Sequence, residues 1–346
     1  MTMQHAPNPD SAKPLLQANH ATKSFAPSLS LGDHIMRWLG YQIDTRAVQA
    51  VDAVSLTLYQ GEVLGLVGES GCGKSTLGRM LAGIIPPSNG TVKLENTPVM
   101  NAQSKPVKNT TRIQMVFQDP FASLDPRVRV GETIGEGPLC HGLVDAAHLR
   151  AYVARWLETV GLPHDAADKF PHQFSGGQRQ RVAIARALAM QPDILICDEP
   201  VASLDVSIQA QIINLFLELK KTLNLTMLFI SHDLGVVRHI SDRIAVMYLG
   251  RIVELGPTTS VYDSPYHPYT RALLDSIPKL VTQGDELVDF KAIEGELPSP
   301  LSPPPGCHFH LRCPHAKDLC KTTKPALNTI DPASERMAAC FFPLNA

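Results

Sequence analysis

Gly68-Glu69-Ser70-Gly71-Cys72-Gly73-Lys74-Ser75-Thr76 follows the apolar run Val63-Leu64-Gly65-Leu66-Val67 and precedes Leu77, Met80 and Leu81, which recur at helical spacing. The stretch matches G-x-x-x-x-G-K-[ST] in the strand–loop–helix context that the pattern needs. Glycines let the backbone turn tightly, so that successive N–H groups point inward as an anion nest. The N-terminus of the following helix adds a partial positive charge. Gly68, Ser70, Gly71, Cys72, Gly73, Lys74, Ser75 and Thr76 are thus candidate phosphate-binding residues. Lys74 is placed to reach the β- and γ-phosphates and Ser75 to ligate Mg²⁺. Chance alone gives such a match in about one per cent of chains this long, so a plain strand–turn–helix is the weaker reading.

The chain has 346 residues, 44% hydrophobic and 18% charged, with a formal net charge of −2. That is an ordinary composition for a water-exposed protein with a sizeable core and an appendage. Near-zero charge weighs against an extended nucleic-acid-binding face. No apolar run approaches bilayer length. The opening MTMQHAPNPDSAKP lacks the apolar segment of a secretory signal, so a cytoplasmic location is expected.

Outward from the loop, strands are expected at Leu15–Ala18, Val51–Leu58, Arg112–Phe117, Asp193–Cys197 and Met227–Ile230, and helices at 149–160, 177–190 and 206–222. Alternating strands and helices imply parallel β-structure covered by helices. Residues 1–13 are expected to be disordered, 14–278 to form the main domain with a helical part at about 125–190, and 279–346 to form a small C-terminal lobe. The lobe is entered through the proline-rich Leu297–Gly306, an extended and fairly stiff segment.

Several polar residues fall at strand ends. Asp198-Glu199 closes an apolar strand, where an acid can hold Mg²⁺ and its neighbour can orient or deprotonate a water. Gln118 ends the 112–117 strand, where an amide can touch Mg²⁺ or that water. His232 ends the 227–230 strand, where an imidazole can contact a γ-phosphate. Each of these alone is a common structural residue; together, after a phosphate loop, they point to hydrolysis. Ser175-Gly176-Gly177-Gln178 precedes a helix and offers a second phosphate site. One nucleotide does not need two such sites from one chain, so this one is expected to close over the nucleotide of a partner subunit.

Together these motifs resemble an ATP-binding cassette (ABC) ATPase. Gly68–Thr76 resembles its Walker A loop, Gln118 its Q-loop, and Ser175–Gln178 its signature, with Phe174 where Leu is commoner. Ile194–Asp198 resembles Walker B with Glu199 as catalytic acid, Ser203-Leu204-Asp205 the D-loop, and His232 the switch histidine. The resemblance implies an α/β, P-loop nucleotide-binding domain with an antiparallel β portion and a helical subdomain. It also implies head-to-tail pairing of two subunits around ATP, and an aromatic stacked on adenine, for which Phe25 is the candidate and Tyr41 the alternative.

Ser264–Leu274, Gly295–Pro300 and Gly306–Pro314 resemble the C-terminal part of dipeptide/oligopeptide importer ATPases, nearest to the second ATPase of the dipeptide importers. This implies a chain that powers peptide import from the cytoplasmic face of the inner membrane. The partners implied are a second, paralogous ATPase, two permeases and, indirectly, an external peptide-binding protein; no nucleic acid is expected. The alternatives are a soluble cassette ATPase acting on nucleic acid or ribosomes, and a redox-sensing regulatory subunit.

Seven cysteines are present, and Cys307, Cys313, Cys320 and Cys340 lie in the last 40 residues with the spacing C-x₅-C-x₆-C-x₁₉-C. Four thiolates can hold a [4Fe–4S] cluster or a structural zinc. The spacing lacks the tight C-x₂-C of zinc ribbons, and the importer resemblance implies the iron–sulfur cluster. His308, His310 and His315 lie close enough in sequence for one of them to replace a cysteine as ligand.

Overall fold

Three consecutive-looking apolar runs form the centre of the molecule, and their side chains alternate between two cores. In β3 (Val63–Val67), Val63 and Val67 enter one core while Leu64 and Leu66 enter the other. The same alternation splits β7 (Ile194–Asp198) and β8 (Thr226–Ile230), all of whose residues are buried. Strands covered on both faces lose the polar–apolar alternation of a half-exposed strand and read as continuous hydrophobic runs.

The computed structural model describes residues 13–27, 46–101, 106–277, 295–331 and 335–345, with single positions 32, 36, 38, 39, 41 and 293. The expected disordered segment 1–13, except Lys13, and the expected domain junction at 278/279 lie outside the described residues.

An eight-stranded sheet has the order β11-β12-β10-β9-β3-β8-β7-β6. Here β6 is Ile113–Val116, β9 Arg243–Tyr248, β10 Arg251–Pro257, β11 Asn328–Asp331 and β12 Arg336–Ala338. The five strands from β9 to β6 are mutually parallel, as the alternation of elements predicts. The other three are antiparallel. Beside the large sheet lies an antiparallel sheet of order β2-β1-β4-β5, with β1 Pro14–Phe25, β2 Val48–Tyr59, β4 Asn89–Leu94 and β5 Thr97–Pro98. Its inward residues Leu16, Val54, Leu56 and Leu58 share a core with the helix Lys74–Leu81.

Between β6 and β7 the chain is helical, with helices Val130–Cys140, Leu149–Thr159 and Gly176–Leu188. Val153, Trp156, Leu157, Val182, Ile184 and Leu188 from these helices join the core on the β3–β7–β8 face opposite the antiparallel sheet.

The C-terminal segment does more than form a small lobe. Its β12 pairs with β10, and β11 extends the sheet beyond it. Sequence reading omits both strands because they are three or four residues long and Asn328-Thr329 is exposed, so neither carries an apolar period.

Candidate functional site

Parallel strands deliver their C-terminal ends to one edge of a sheet, and ligands of such sheets bind there. The phosphate loop follows β3, Phe117-Gln118 follows β6, Asp198-Glu199 closes β7, and Ser231-His232 follows β8. With β8 between β3 and β7, and β7 between β8 and β6, residues far apart in sequence meet at this edge.

The loop is shaped by backbone contacts. Gly73, at the N-cap of the helix Lys74–Leu81, has φ 108° and no side-chain cap, which leaves the first N–H groups of the helix available to an anion. A Cβ there would stand 2.1 Å from the Ala50 carbonyl oxygen of β2. Lys74 is 4% exposed, and its Nζ donates to the carbonyls of Gly68 at 2.8 Å and Glu69 at 3.0 Å. The ammonium is thereby held over the inside of the loop. Ser70 and Gly71 form its exposed rim, Cys72 is buried, and Ser75 and Thr76 are half-buried in the first helical turn.

Ser75 Oγ donates to Asp198 Oδ1 at 2.8 Å. Burial raises the Asp198 carboxyl above its ordinary pKa, against the Ser75 hydrogen bond and the nearby Arg79 and Lys74 charges. A hydroxyl and one carboxylate beside a phosphate loop suit Mg²⁺, which takes few protein ligands and completes its shell with phosphate and water oxygens.

A second group gathers around Glu199. Its Oε2 accepts from Gln118 Nε2 at 3.0 Å and lies 3.2 Å from His232 Nδ1. Glu199 sits at φ 46°, a left-handed conformation uncommon for a residue with a side chain, and its N–H donates to the Ile230 carbonyl. Gln118, expected beside Mg²⁺ or the water, is here hydrogen-bonded to Glu199.

The remaining predicted residues lie apart from this group. Ser175 caps the helix Gly176–Leu188 in a reciprocal box: its Oγ accepts from Gln178 N at 3.4 Å, and Gln178 Oε1 accepts from Ser175 N at 3.0 Å. Gly177 packs so closely on Ile208 that a Cβ would meet its Cγ2 at 2.5 Å. Asp205 caps the helix Val206–Leu223, accepting from Ile208 N and Ser207 Oγ. Those hydrogen bonds lower the Asp205 pKa. Among the described residues, no hydrogen bond joins 175–178 or Asp205 to the 68–76 loop.

Phe25 ends β1 opposite Val48, two residues from Ala50, whose carbonyl abuts Gly73. It is 44% exposed, with Lys23 Nζ 5.3 Å from its ring centroid. Tyr41 is exposed as well. A cavity of about 930 Å³, lined by Lys108, Arg112, Gln114, Phe117, Glu136 and Arg186 among others, does not include the 68–76 loop.

The four C-terminal cysteines line one cavity with Phe309, Phe341, Phe342, His310 and His315; His308 points elsewhere, to the Leu249 carbonyl. All four are free thiols. Burial and the neighbouring sulfurs push Cys307 and Cys340 upward, Cys340 to about 11. Among the described residues, no three His, Cys, Asp or Glu side chains are grouped to hold a metal ion.

Sequence reading missed Tyr269, Arg312 and His308 as neighbours of the phosphate loop. Nothing in the sequence tied them to the loop: Tyr269 lies in the stretch 264–274, and Arg312 and His308 lie in the stretch 306–314, whose cysteines and histidines read as metal ligands instead.

Residues 51–202 match the ABC transporter family, and residues 253–320 match the oligopeptide/dipeptide transporter C-terminal region. The oligopeptide transport ATP-binding protein AppF of Bacillus subtilis (strain 168) is 50% identical over 288 residues, covering 83% of this chain and 88% of AppF. The chain belongs to the ABC ATPases of the oligopeptide/dipeptide transporter family. Its cassette fold is similar to solved members of the wider ABC group. CbiO1 of Clostridium perfringens, part of the ABC transporter complex cbiONQ, matches with TM-score 0.58 and 29% identity over 72% of this chain and 91% of CbiO1. A dimeric ATP-binding cassette in a post-hydrolysis state with ADP and Pi matches with TM-score 0.57 and 26% identity, over 70% of this chain and 99% of that one. As an ABC ATPase, this family member uses ATP with Mg²⁺. Among its described residues no helix is long and apolar enough to cross a membrane.

Proposed function

We propose that this chain binds ATP on the 68–76 loop, hydrolyses it at Glu199 within a pair of ATPase subunits, and so drives peptides through membrane permeases. The observation that carries the reading is the meeting of Gln118, Glu199 and His232 at the sheet edge that also holds the loop and the Ser75–Asp198 pair.

The roles follow from position. Loop N–H groups and Lys74 hold the phosphates. Ser75 and Asp198 are the residues that would hold Mg²⁺, which would supply charge neutralisation to the bound phosphates. Glu199 accepts a proton from the attacking water as its oxygen bonds to the γ-phosphorus and the bond to the β-γ bridging oxygen breaks. Gln118 orients the Glu199 carboxylate, and His232 is the contact to the γ-phosphate. Ser175–Gln178 and Asp205 act across the interface, the capped helix start facing the partner's nucleotide. Phe25 supplies the adenine stack.

Peptide cargo is supported by the 253–320 match and by the name of AppF. The same match favours an importer over a soluble ATPase acting on nucleic acid or ribosomes and over a redox-sensing regulator. The proposed partners are a paralogous ATPase, two permeases and, indirectly, an external binding protein, with this chain on the cytoplasmic face of the inner membrane. The proposed division is a cassette at 14–278, with its helical subdomain at about 125–190, and a C-terminal lobe at 279–346.

The four-cysteine cavity is the proposed place of a [4Fe–4S] cluster, with zinc as the alternative, although among the described residues the thiols are not grouped to hold a metal ion. Four thiols lining one apolar cavity are the donor set that such a cluster takes. When bound, the cluster would cross-link residues 307–340 of the small C-terminal lobe, which has little core of its own. Anaerobic purification with about four irons per chain and a broad visible band would support it; zinc or no metal would overturn it.

The importer reading is tested by solubilising membranes in detergent and asking whether the chain copurifies with permeases. In reconstituted vesicles, ATP-dependent peptide uptake is expected to stop in Glu199→Gln. Unchanged uptake in that variant would overturn the catalytic assignment.

A further inference from the structure

Glu69, inside the phosphate loop, is held from three directions. Its N–H donates to Tyr269 Oη at 2.9 Å. Its carbonyl accepts from Lys74 Nζ at 3.0 Å and from Cys72 N at 3.3 Å. Its carboxylate takes both arms of one guanidinium, Arg312 Nη1 to Oε2 at 2.8 Å and Nη2 to Oε1 at 3.0 Å, across 243 residues of chain. Such a two-pronged pair fixes direction as well as distance, and the Arg312 side chain is only 5% exposed.

The segment carrying Arg312 also reaches the other end of the loop. Phe309 packs on Tyr248 and Tyr269, both at 5.3 Å between ring centroids, and these two rings lie 4.6 Å apart. His308 Nδ1 donates to the Leu249 carbonyl at 3.0 Å. The next residue, Gly250, donates to the Cys72 carbonyl at 2.8 Å. Residues 308–312 therefore brace the loop at Glu69 and, through the β9–β10 turn, at Cys72.

We propose that Arg312 is a positioning residue of the phosphate loop, so that the C-terminal segment sets the ATP affinity of the cassette on which it packs. The proposal rests on the reading of 68–76 as the phosphate site. The loop needs such a brace because its rim, Ser70 and Gly71, is exposed, and a Cβ at Gly71 would touch nothing within 4 Å. Lys74 contributes to the hold on Glu69 only while its Nζ faces the loop carbonyls. When it turns to a phosphate, Arg312 and Tyr269 are the side chains left to keep Glu69, and the N–H groups beyond it, in place. Loss of either charge would leave its partner half-desolvated and free to pull the loop out of shape.

The test is a titration of the purified full chain with a fluorescent ATP analogue, alongside thermal unfolding, with steady-state hydrolysis measured on the assembled complex. Arg312→Gln is expected to weaken nucleotide binding about tenfold, scaled for a pair that is only partly buried. It should raise KM while leaving kcat and the number of binding sites unchanged; a merely structural role would instead lower the number of competent sites at unchanged KM. Glu69→Gln is expected to match it, the double variant to be no weaker than either single one, and Arg312→Lys to recover part of the loss. Unchanged affinity in folded Arg312→Gln, or single effects that multiply in the double variant, would overturn the proposal. If Arg312→Gln does not fold, Glu69→Gln carries the same decision, since its side chain is the more exposed of the two. Lys74→Ala in the same titration tests the site itself: retained affinity there would remove the reading beneath the proposal, whereas affinity lost there but kept in Arg312→Gln overturns the proposal alone.

Discussion

Gln118 Nε2 donates to Glu199 Oε2 at 3.0 Å, tying the end of β6 to the end of β7 across 81 residues of chain. His232 Nδ1 approaches the same oxygen from the end of β8 at 3.2 Å. One carboxylate oxygen at the end of β7 thus collects contacts from the ends of two neighbouring strands, on a residue whose backbone is held at φ 46°. A side chain locked in this way is suited to take a proton at a fixed place.

Glu199→Gln keeps the size of the side chain and removes its basicity. Hydrolysis is expected to fall by about 10²–10⁴-fold, the usual worth of a positioned base, with ATP affinity retained and a closed, ATP-bound pair of subunits accumulating. Phosphate release and size-exclusion chromatography with ATP check this. A wild-type rate would remove Glu199 from its role.

The loop glycines differ in what they tolerate. Gly71 (φ 78°) has open space where a Cβ would go, whereas at Gly73 (φ 108°) a Cβ would lie 2.1 Å from the Ala50 carbonyl. Gly71→Ala is expected to cost about 1–2 kcal/mol, the left-handed backbone penalty alone. Gly73→Ala carries a backbone clash as well and is expected to cost about 3 kcal/mol or more. Urea unfolding of the two variants decides, and equal midpoints would contradict the steric argument.

His267 is 1% exposed, and its Nδ1 accepts from the Tyr269 N–H at the start of the helix Pro268–Asp275. Burial lowers its pKa from 6.5 to about 3. Between those values the unfolded chain binds a proton that the folded chain refuses. Stability from this group is therefore complete above pH 6.5 and declines as pH falls toward 3, by at most about 1.4 kcal/mol per pH unit. His267→Asn keeps an acceptor for the cap and does not titrate. The variant is expected to lose less stability than wild type between pH 7 and pH 5 in parallel thermal melts; identical losses would show that His267 is not the titrating group.

Ser175→Ala removes the cap of the helix Gly176–Leu188 at an expected cost of about 1 kcal/mol. Because the capped end is assigned to the partner's nucleotide, ATP binding by the separate chain is expected to be unaffected while hydrolysis by the assembled pair falls. Titration on the free chain and turnover on the assembled complex separate the two effects. Weakened binding by the free chain would place Ser175 in its own site instead.

The local chemistry was legible in the chain itself. A phosphate loop is a contiguous pattern, and Val63–Val67, Ile194–Cys197 and Met227–Ile230 announce buried parallel strands because they are apolar on both faces. Acids, amides and imidazoles at strand ends follow from those strands, since a parallel sheet brings like ends to one edge. The tertiary structure alone decided which partners met. That Gln118 bonds Glu199 and that β12 adds to β10 depend on strand order and register, which one-dimensional periods do not encode. The bracing of Glu69 by Arg312 and Tyr269 was the least legible, because an ion pair closed across 243 residues leaves no trace in local spacing. It exists only because the C-terminal segment folds back onto the sheet edge that the phosphate loop occupies.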